Sequence, residues 1–222
     1  MTLAIVVPVK SPHRAKLRLE PILSEADRER LARVMARDVF KAVSMLMAYG
    51  RFVISDDAEI LEEGRRFGLE PLLDRVGQGQ SAAVQQGFAA AWERGFAAAL
   101  TIPGDVPAVT ADELADFCGY RPEIEVLLAP DRERVGTNGL RLVPPHAITL
   151  RFGEDSFSLH QEEARRDNRS LAVRDVEGLR YDLDRPEDVV AFMGLPRETE
   201  TLRLLKELGV AERVFATTPP PG

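Results

Sequence analysis

The chain has 222 residues, which at roughly 150 residues per domain is one domain with a modest extension, and 45% hydrophobic residues can build its core without disulfides. Its 29 Lys and Arg against 36 Asp and Glu give a net charge of −7, which argues against a nucleic-acid binder held by a broad basic face. The single cysteine, Cys118, excludes an intramolecular disulfide framework and suits a reducing compartment. No apolar run approaches the ~20 residues of a membrane span. Residues Met1 to Lys10 lack the charged leader and cleavage site of a secretory signal. A soluble cytoplasmic protein is expected, with no membrane or nucleic-acid partner.

In chain order, Leu3–Val9 (LAIVVPV) is a continuous apolar run, as in a strand covered on both faces of a parallel sheet. Ser24-Glu25-Ala26-Asp27 reads as a capping box opening a long helix with Leu31, Met35, Val39 and Val43 on one face. Strand Arg51–Ser55, helix Asp57–Arg66 with Gly68 just past its end, strand Leu69–Leu73, helix Ser81–Arg94 and strand Ala97–Ile102 follow. Beyond residue 124, strands are expected at Ile124–Ala129, Gly139–Val143 and Leu171–Val176. Helices are expected at Phe157–Arg166, from Pro186 to Met193, and at Glu198–Leu208. Strands alternating with helices imply an α/β, doubly wound, mostly parallel sheet, whose ligands bind beyond the carboxyl ends of the strands. One domain over 1–215 is expected, with 216–222, ending in TTPPPG, as a disordered tail.

Lys10, His13, Arg14, Lys16 and Arg18 crowd the loop after the first strand. On an exposed helix they would be an ordinary solvated face. Beyond a strand end they form a clamp for a triphosphate and its leaving pyrophosphate. Asp105, in the turn Pro103-Gly104-Asp105-Val106-Pro107, and the Asp182-Leu183-Asp184 pair supply hard oxygens suited to Mg²⁺. The plainer reading of Asp184 is a cap for the helix starting at Pro186. Gly77-Gln78-Gly79-Gln80-Ser81-Ala82 fits a dinucleotide-binding G-x-G-x-x-A, but after the third strand rather than the first. A glycine-rich turn whose helix amides face an anion explains it as well. No P-loop, G-x-S-x-G elbow or zinc spacing is present, and Trp92 is assigned to the core.

Several separated motifs carry a resemblance. Pro8-Val9-Lys10, Lys16-x-Arg18-Leu19 and Gly104-Asp105-Val106-Pro107 resemble the MobA-like nucleotidyltransferase superfamily, with its nucleotide-diphospho-sugar transferase fold. Ala129-Pro130-Asp131-Arg132, Gly136-Thr137-Asn138-Gly139-Leu140, Phe152-Gly153-x-x-Ser156-Phe157-x-x-His160 and Asp182-Leu183-Asp184-Arg185-Pro186-Glu187-Asp188 are similar to the 2-phospho-L-lactate guanylyltransferase family. The resemblance runs from about Ile5 to Val190.

It implies transfer of GMP from GTP onto the phosphate of 2-phospho-L-lactate, phosphoenolpyruvate or 3-phosphoglycerate, a step toward the deazaflavin coenzyme F-420. It implies Mg²⁺, two ions, on Asp105, Asp182 and Asp184, and the phospho-acid on Thr137, Gly153 and Ser156. Lys10, Lys16 and Arg18 would hold the GTP phosphates and, with Asp105, serve catalysis. Gly79 and Ser81 would lie near the nucleotide, although family members usually read Gly-Leu-Asn where this chain has Gly79-Gln80-Ser81, which leaves base preference open. His160 either orients the acceptor or braces the Phe152–Phe157 turn. The product would pass to a downstream transferase, and a homo-oligomer is left open. The alternatives are another MobA-like or sugar-phosphate nucleotidyltransferase, or a non-catalytic nucleotide-binding module.

Overall fold

The structure, a computed structural model, describes residues 2–75 and 77–217. The apolar runs become strands of one sheet: β1 (Leu3–Pro8), β2 (Gly50–Ser55), β3 (Glu70–Leu73), β4 (Ala98–Thr101), β5 (Val126–Pro130), β6 (Thr137–Leu142) and β7 (Leu171–Val173). Their spatial order is β3-β2-β1-β4-β6-β5-β7. All described pairings are parallel except those of β6, which runs antiparallel to both β4 and β5. The mostly parallel α/β sheet expected from the sequence is therefore present.

The reversal of β6 matters for the site. In a parallel sheet the carboxyl ends share one edge, and an antiparallel strand brings its first residues to that edge. Thr137 and Asn138, which open β6, consequently face the same cleft as the residues that follow β1 and β4.

Helices α1 (Glu25–Ser44), α2 (Ala58–Arg66), α3 (Gln80–Glu93), α4 (Ala111–Gly119), α5 (Ser156–Arg166), α6 (Pro186–Met193), α7 (Glu200–Glu207) and α8 (Val210–Thr217) accompany the sheet. The Ser24 hydroxyl caps α1 by accepting from Asp27 N–H. One apolar layer joins Ile5, Val7 and Leu100 to Val39, Phe40 and Val43 of α1; the opposite layer joins Val6, Phe52 and Leu140 to Val84 and Phe88 of α3. Gly87 lets α3 lie directly on the sheet, because a Cβ there would sit 2.5 Å from Val6 Cγ1. A third cluster ties the carboxyl-terminal helices back to α1 through Leu31, Met35, Leu202 and Leu205.

Three expectations need correction. Helix α4 was not expected, although Thr110 and Glu113 form a reciprocal capping box at its start. Helix α8 was not expected either: Thr217, assigned to the tail, closes it, and the rest of that tail lies outside the described residues. Trp92 is not core; it is 51% exposed, with its ring edge-on to His146.

Candidate active site

At the carboxyl edge of β1 and β4 lies an open cleft of about 1100 Å³. Lys10, Lys16, Arg18, Asp105, Asp182 and Asp184 line it, together with Thr137, Gly153, Ser156 and Gly79. A separate groove of about 850 Å³ runs between α1, α2 and α7 and contains none of these residues; there Arg30, Arg33 and Arg37 pair with Glu207, Glu59 and Glu63.

One wall of the cleft is charged. After β1 the chain makes two short 3₁₀ turns, Pro12–Arg14 and Leu17–Leu19. Between them Lys16 takes a left-handed backbone (φ 57°), unusual for a residue with a Cβ. That turn swings its ammonium inward, 2.7 Å from Asp105 Oδ2 and 2.5 Å from Asp184 Oδ1. Burial alone would lower the Lys16 pKa, but the two carboxylates outweigh it and raise it above the ordinary value. Lys16 and Arg18, expected as phosphate clamps, thus share the wall with the aspartates, and Lys16 is their counter-ion. His13 turns away from them to pair with Glu29 of α1 at 2.8 Å.

Asp105 leaves β4 through the Pro103-Gly104 turn, and its backbone carbonyl accepts from Leu183 N–H. That bond sets the 182–184 segment beside it. Asp184 N–H folds back onto the Asp182 carbonyl, a tighter path than the extended one expected, yet both side chains line the cleft. Asp184 is not the cap of α6: Arg185 holds the N-cap position, and its N–H donates to the Asp188 carboxylate at 2.9 Å. Asp184 is half-buried, but Lys16, with Arg18 and Lys10 contributing, holds its carboxyl below the usual range.

Asp182 is the opposite case. Burial first, and the neighbouring Asp105 charge second, push its carboxyl up to about 7, with only partial relief from Asn138 Nδ2, which donates to Asp182 Oδ1 at 3.2 Å. Asp105 Oδ1 is buried without a hydrogen-bond partner. A buried carboxylate oxygen with nothing to accept from, beside a carboxyl that resists ionising, fits a divalent cation bound through hard oxygens. No ready-made group of three or more His, Cys, Asp or Glu is assembled for a metal among the described residues. Lys16 stands between Asp105 and Asp184 where a third ligand would otherwise converge.

The other wall is built on uncharged side chains, with Asp131 and Glu154 lining the cleft beside them. Thr137 Oγ1 lies 3.1 Å from His160 Nδ1, and His160 Nε2 lies 3.0 Å from Arg151 N–H. Thr137 N–H donates to Ser156 Oγ at 3.0 Å, and Phe152 N–H donates to Ser81 Oγ at 2.9 Å. Burial, with the Arg151 charge second, lowers the His160 pKa to about 4, so this ring is neutral at pH 7. Gly153 has φ +128°, open to glycine and strained for other residues. Its place between Phe152 and Ser156 follows from that freedom.

Gly79 opens α3 with φ 91° and supplies no capping side chain, so the first amides of α3 can serve an anion in the cleft. Gly79 and Gln80 line the cleft, whereas Ser81 sits behind them and braces Phe152. The G-x-G-x-x-A stretch follows the edge strand β3, far from the first strand where a dinucleotide fingerprint belongs. The sequence did not single out Asn138, which ties Asp182 to the Leu179 carbonyl. Nor did it single out Arg132, which lines the cleft and pairs with Asp188 at 3.3 Å. Both lie inside motifs quoted above, so the signal was present as position but not as role.

The chain is similar to known proteins in sequence and in fold. The chain is 36% identical to the phosphoenolpyruvate guanylyltransferase of Sphaerobacter thermophilus over 87% of its length and 94% of that protein. It is 31% identical to the 2-phospho-L-lactate guanylyltransferase of Methanocaldococcus infernus over 92% of its length and 91% of that protein. Its fold matches that of a Desulfovibrio desulfuricans G20 protein named only as a candidate nucleotide-diphospho-sugar transferase (TM-score 0.79, 16% identity, 97% of this chain and 98% of that one). It also matches a nucleotidyl transferase from Methanothermobacter (TM-score 0.63, 14% identity, 86% and 95%). A family model described as guanylyl transferase CofC like matches residues 3–219. The chain belongs to that guanylyltransferase family.

Proposed function

We propose that this protein moves GMP from GTP onto the phosphate of a three-carbon phospho-acid, in the class of phosphoenolpyruvate and 2-phospho-L-lactate. The observation that carries the reading is the meeting, in one cleft, of an aspartate cluster with a lysine counter-ion and a facing wall of hydroxyls. The names of the relatives support the nucleotide and the acceptor class.

In this reading the triphosphate lies across the ends of β1 and β4, against Lys10, Arg18 and the first amides of α3. An oxygen of the acceptor's phosphate attacks the α-phosphorus of GTP. The bond from that phosphorus to the bridging oxygen breaks, and pyrophosphate leaves carrying the electron pair. A new phosphoanhydride then joins GMP to the acid. The nucleophile is already an oxyanion, so no strong general base is needed, and positioning with charge neutralisation supplies most of the acceleration.

Asp105, Asp182 and Asp184 would hold Mg²⁺, which when bound shields acceptor and donor phosphates from mutual repulsion. Lys16 releases Asp184 in favour of phosphate oxygens, so its positive charge stays in the cleft throughout. Thr137, Ser156 and the Gly153 backbone fix the acceptor's anionic groups.

The test is pyrophosphate release with GTP and Mg²⁺ from phosphoenolpyruvate, 2-phospho-L-lactate and 3-phosphoglycerate in turn. ATP and CTP serve as controls, and a downstream transferase that accepts the guanylylated acid serves as a trap. Release with GTP and one acid supports the reading and names the acceptor. Silence with every acid, while GTP binds, overturns it in favour of a non-catalytic or differently specific relative.

A further inference from the structure

His160 is fully buried on α5, one side of its ring edge-on to Phe152 at 4.8 Å between centroids. Both its nitrogens are engaged. A backbone N–H can only donate, so Nε2, 3.0 Å from Arg151 N–H, must carry a lone pair. In a neutral imidazole the proton then belongs to Nδ1, which is the nitrogen facing Thr137 Oγ1 at 3.1 Å. With Nδ1–H donating, the Thr137 oxygen is an acceptor toward the histidine, and the hydroxyl's own proton is left for the cleft.

Its neighbours follow the same logic. Ser156 Oγ accepts from Thr137 N–H and Ser81 Oγ accepts from Phe152 N–H, so each hydroxyl has an internal donor on its oxygen and a proton to give elsewhere. The same ring fixes the loop, since Arg151 and Phe152, the two residues before Gly153, have their amides anchored on His160 and Ser81. The charged groups near the ring are Arg151 and Glu163, and these pair with one another at 3.2 Å. Both stay off the imidazole nitrogens, whose partners are Thr137 and the Arg151 amide.

We infer that His160 is a positioning residue for the acceptor site: locked as the Nδ1–H tautomer by the Arg151 amide, it turns the Thr137 hydroxyl into an outward donor and holds the Gly153 loop beside it. The ring touches no reacting atom and takes no proton. The inference rests on the acceptor reading of Thr137, Gly153 and Ser156 given above. The Thr137 and Ser156 hydroxyls that line the cleft, each with its oxygen already taken by an internal donor, suit an oxyanion such as a carboxylate or phosphate and disfavour a group that must itself donate.

The direct experiment reads the tautomer of His160 in the wild-type protein by long-range proton–nitrogen correlation. The expected spectrum shows a protonated Nδ1, a bare Nε2 and no titration across neutral pH. A protonated Nε2, or a ring that titrates near the ordinary histidine value, overturns the inference. Kinetics supply the second arm. In His160→Gln the new carbonyl oxygen can still accept from Arg151 N–H, but the amide N–H groups sit one bond further out than His Nδ1 and leave the position that donated to Thr137.

Its acceptor KM should rise roughly tenfold with GTP KM unchanged, as for one lost hydrogen bond in an anion site. Thr137→Val should do the same, and the double variant should be no worse than either, because both disable the same oriented Thr137 hydroxyl. Additive effects, or a His160→Gln that alters melting temperature alone, overturn the inference. A Thr137→Val with unchanged acceptor KM instead overturns the acceptor reading beneath it, so the two failures are distinct.

Discussion

On one wall of the cleft, Lys16 holds Asp105 and Asp184, burial and Asp105 push the Asp182 carboxyl well up, and one oxygen of Asp105 has nothing to accept from. On the other, Thr137, Ser156, Ser81 and His160 settle each other's hydrogen bonds and carry no charge. The first wall crowds carboxylates together, and under the proposed function cations and phosphates would relieve that cost. The second is satisfied beforehand and needs no rearrangement to receive an anion. A transferase of phosphates gains from both: electrostatic tension where charge moves, and rigidity where the acceptor must be aimed.

The largest effect expected from breaking this contrast lies on the charged wall. Asp182→Asn should lower turnover by at least about a thousandfold, the scale of losing a principal electrostatic group. It should also raise the melting temperature of the divalent-free protein, because it removes one carboxylate from a crowded site. Thermal melts in a chelator beside steady-state rates check both halves; a variant that is inactive and also less stable would contradict the tension assigned to this wall.

Lys16→Ala should act the other way on stability. It strands Asp105 and Asp184 beside Asp182, at a cost of about 3 kcal/mol, the lower end for breaking a buried ion pair. Denaturant unfolding reads this, and added Mg²⁺ should recover part of the loss. Recovery by Mg²⁺ in the wild type but none in the variant would refute the idea that Lys16 is the aspartates' stand-in counter-ion.

The neutral wall predicts a pH effect. The folded His160 pKa, about 4, lies below the ordinary 6.5, so folding favours the uncharged ring. Its contribution is complete above pH 6.5 and is lost as pH falls from there toward 4, about 3 kcal/mol in all. His160→Gln should flatten the stability profile in that window. A variant as acid-sensitive as the wild type there would assign the loss to other groups.

The smallest effect is expected from Ser81→Ala, which releases the Phe152 amide. About 1 kcal/mol of stability and a few-fold rise in acceptor KM are expected, with base selectivity unchanged. A change in GTP over ATP preference would instead place Ser81 at the nucleotide.

Much of this was legible in the residues themselves. Strand ends rich in apolar residues located the edge where Lys10, Asp105 and Asp182 should meet, because a parallel sheet leaves few other places for ligands. The inward turn of Lys16 was not legible: a lysine after a strand reads as a phosphate clamp, and only its left-handed backbone sends it to Asp105 and Asp184. The role of Asn138 depends on β6 running backwards, which apolar periodicity does not encode. Helix α4 carries one local signal, the capping pair Thr110 and Glu113, and it starts only a few residues beyond the turn Pro103–Pro107. Arg141, in the middle of β6, is buried because its guanidinium donates to the carbonyls of Cys118, Tyr120 and Arg121.

The central claim, that an acceptor phosphate attacks the α-phosphorus of GTP in this cleft, is tested most directly by label. GTP carrying radioactive phosphorus at the α position, or separately at the γ position, would be incubated with the phospho-acid, Mg²⁺ and the downstream trap. The account predicts α-label retained with guanosine in the GMP released when the trap consumes the guanylylated acid, and γ-label wholly in pyrophosphate. Appearance of the γ-label in inorganic phosphate or on the phospho-acid would contradict it.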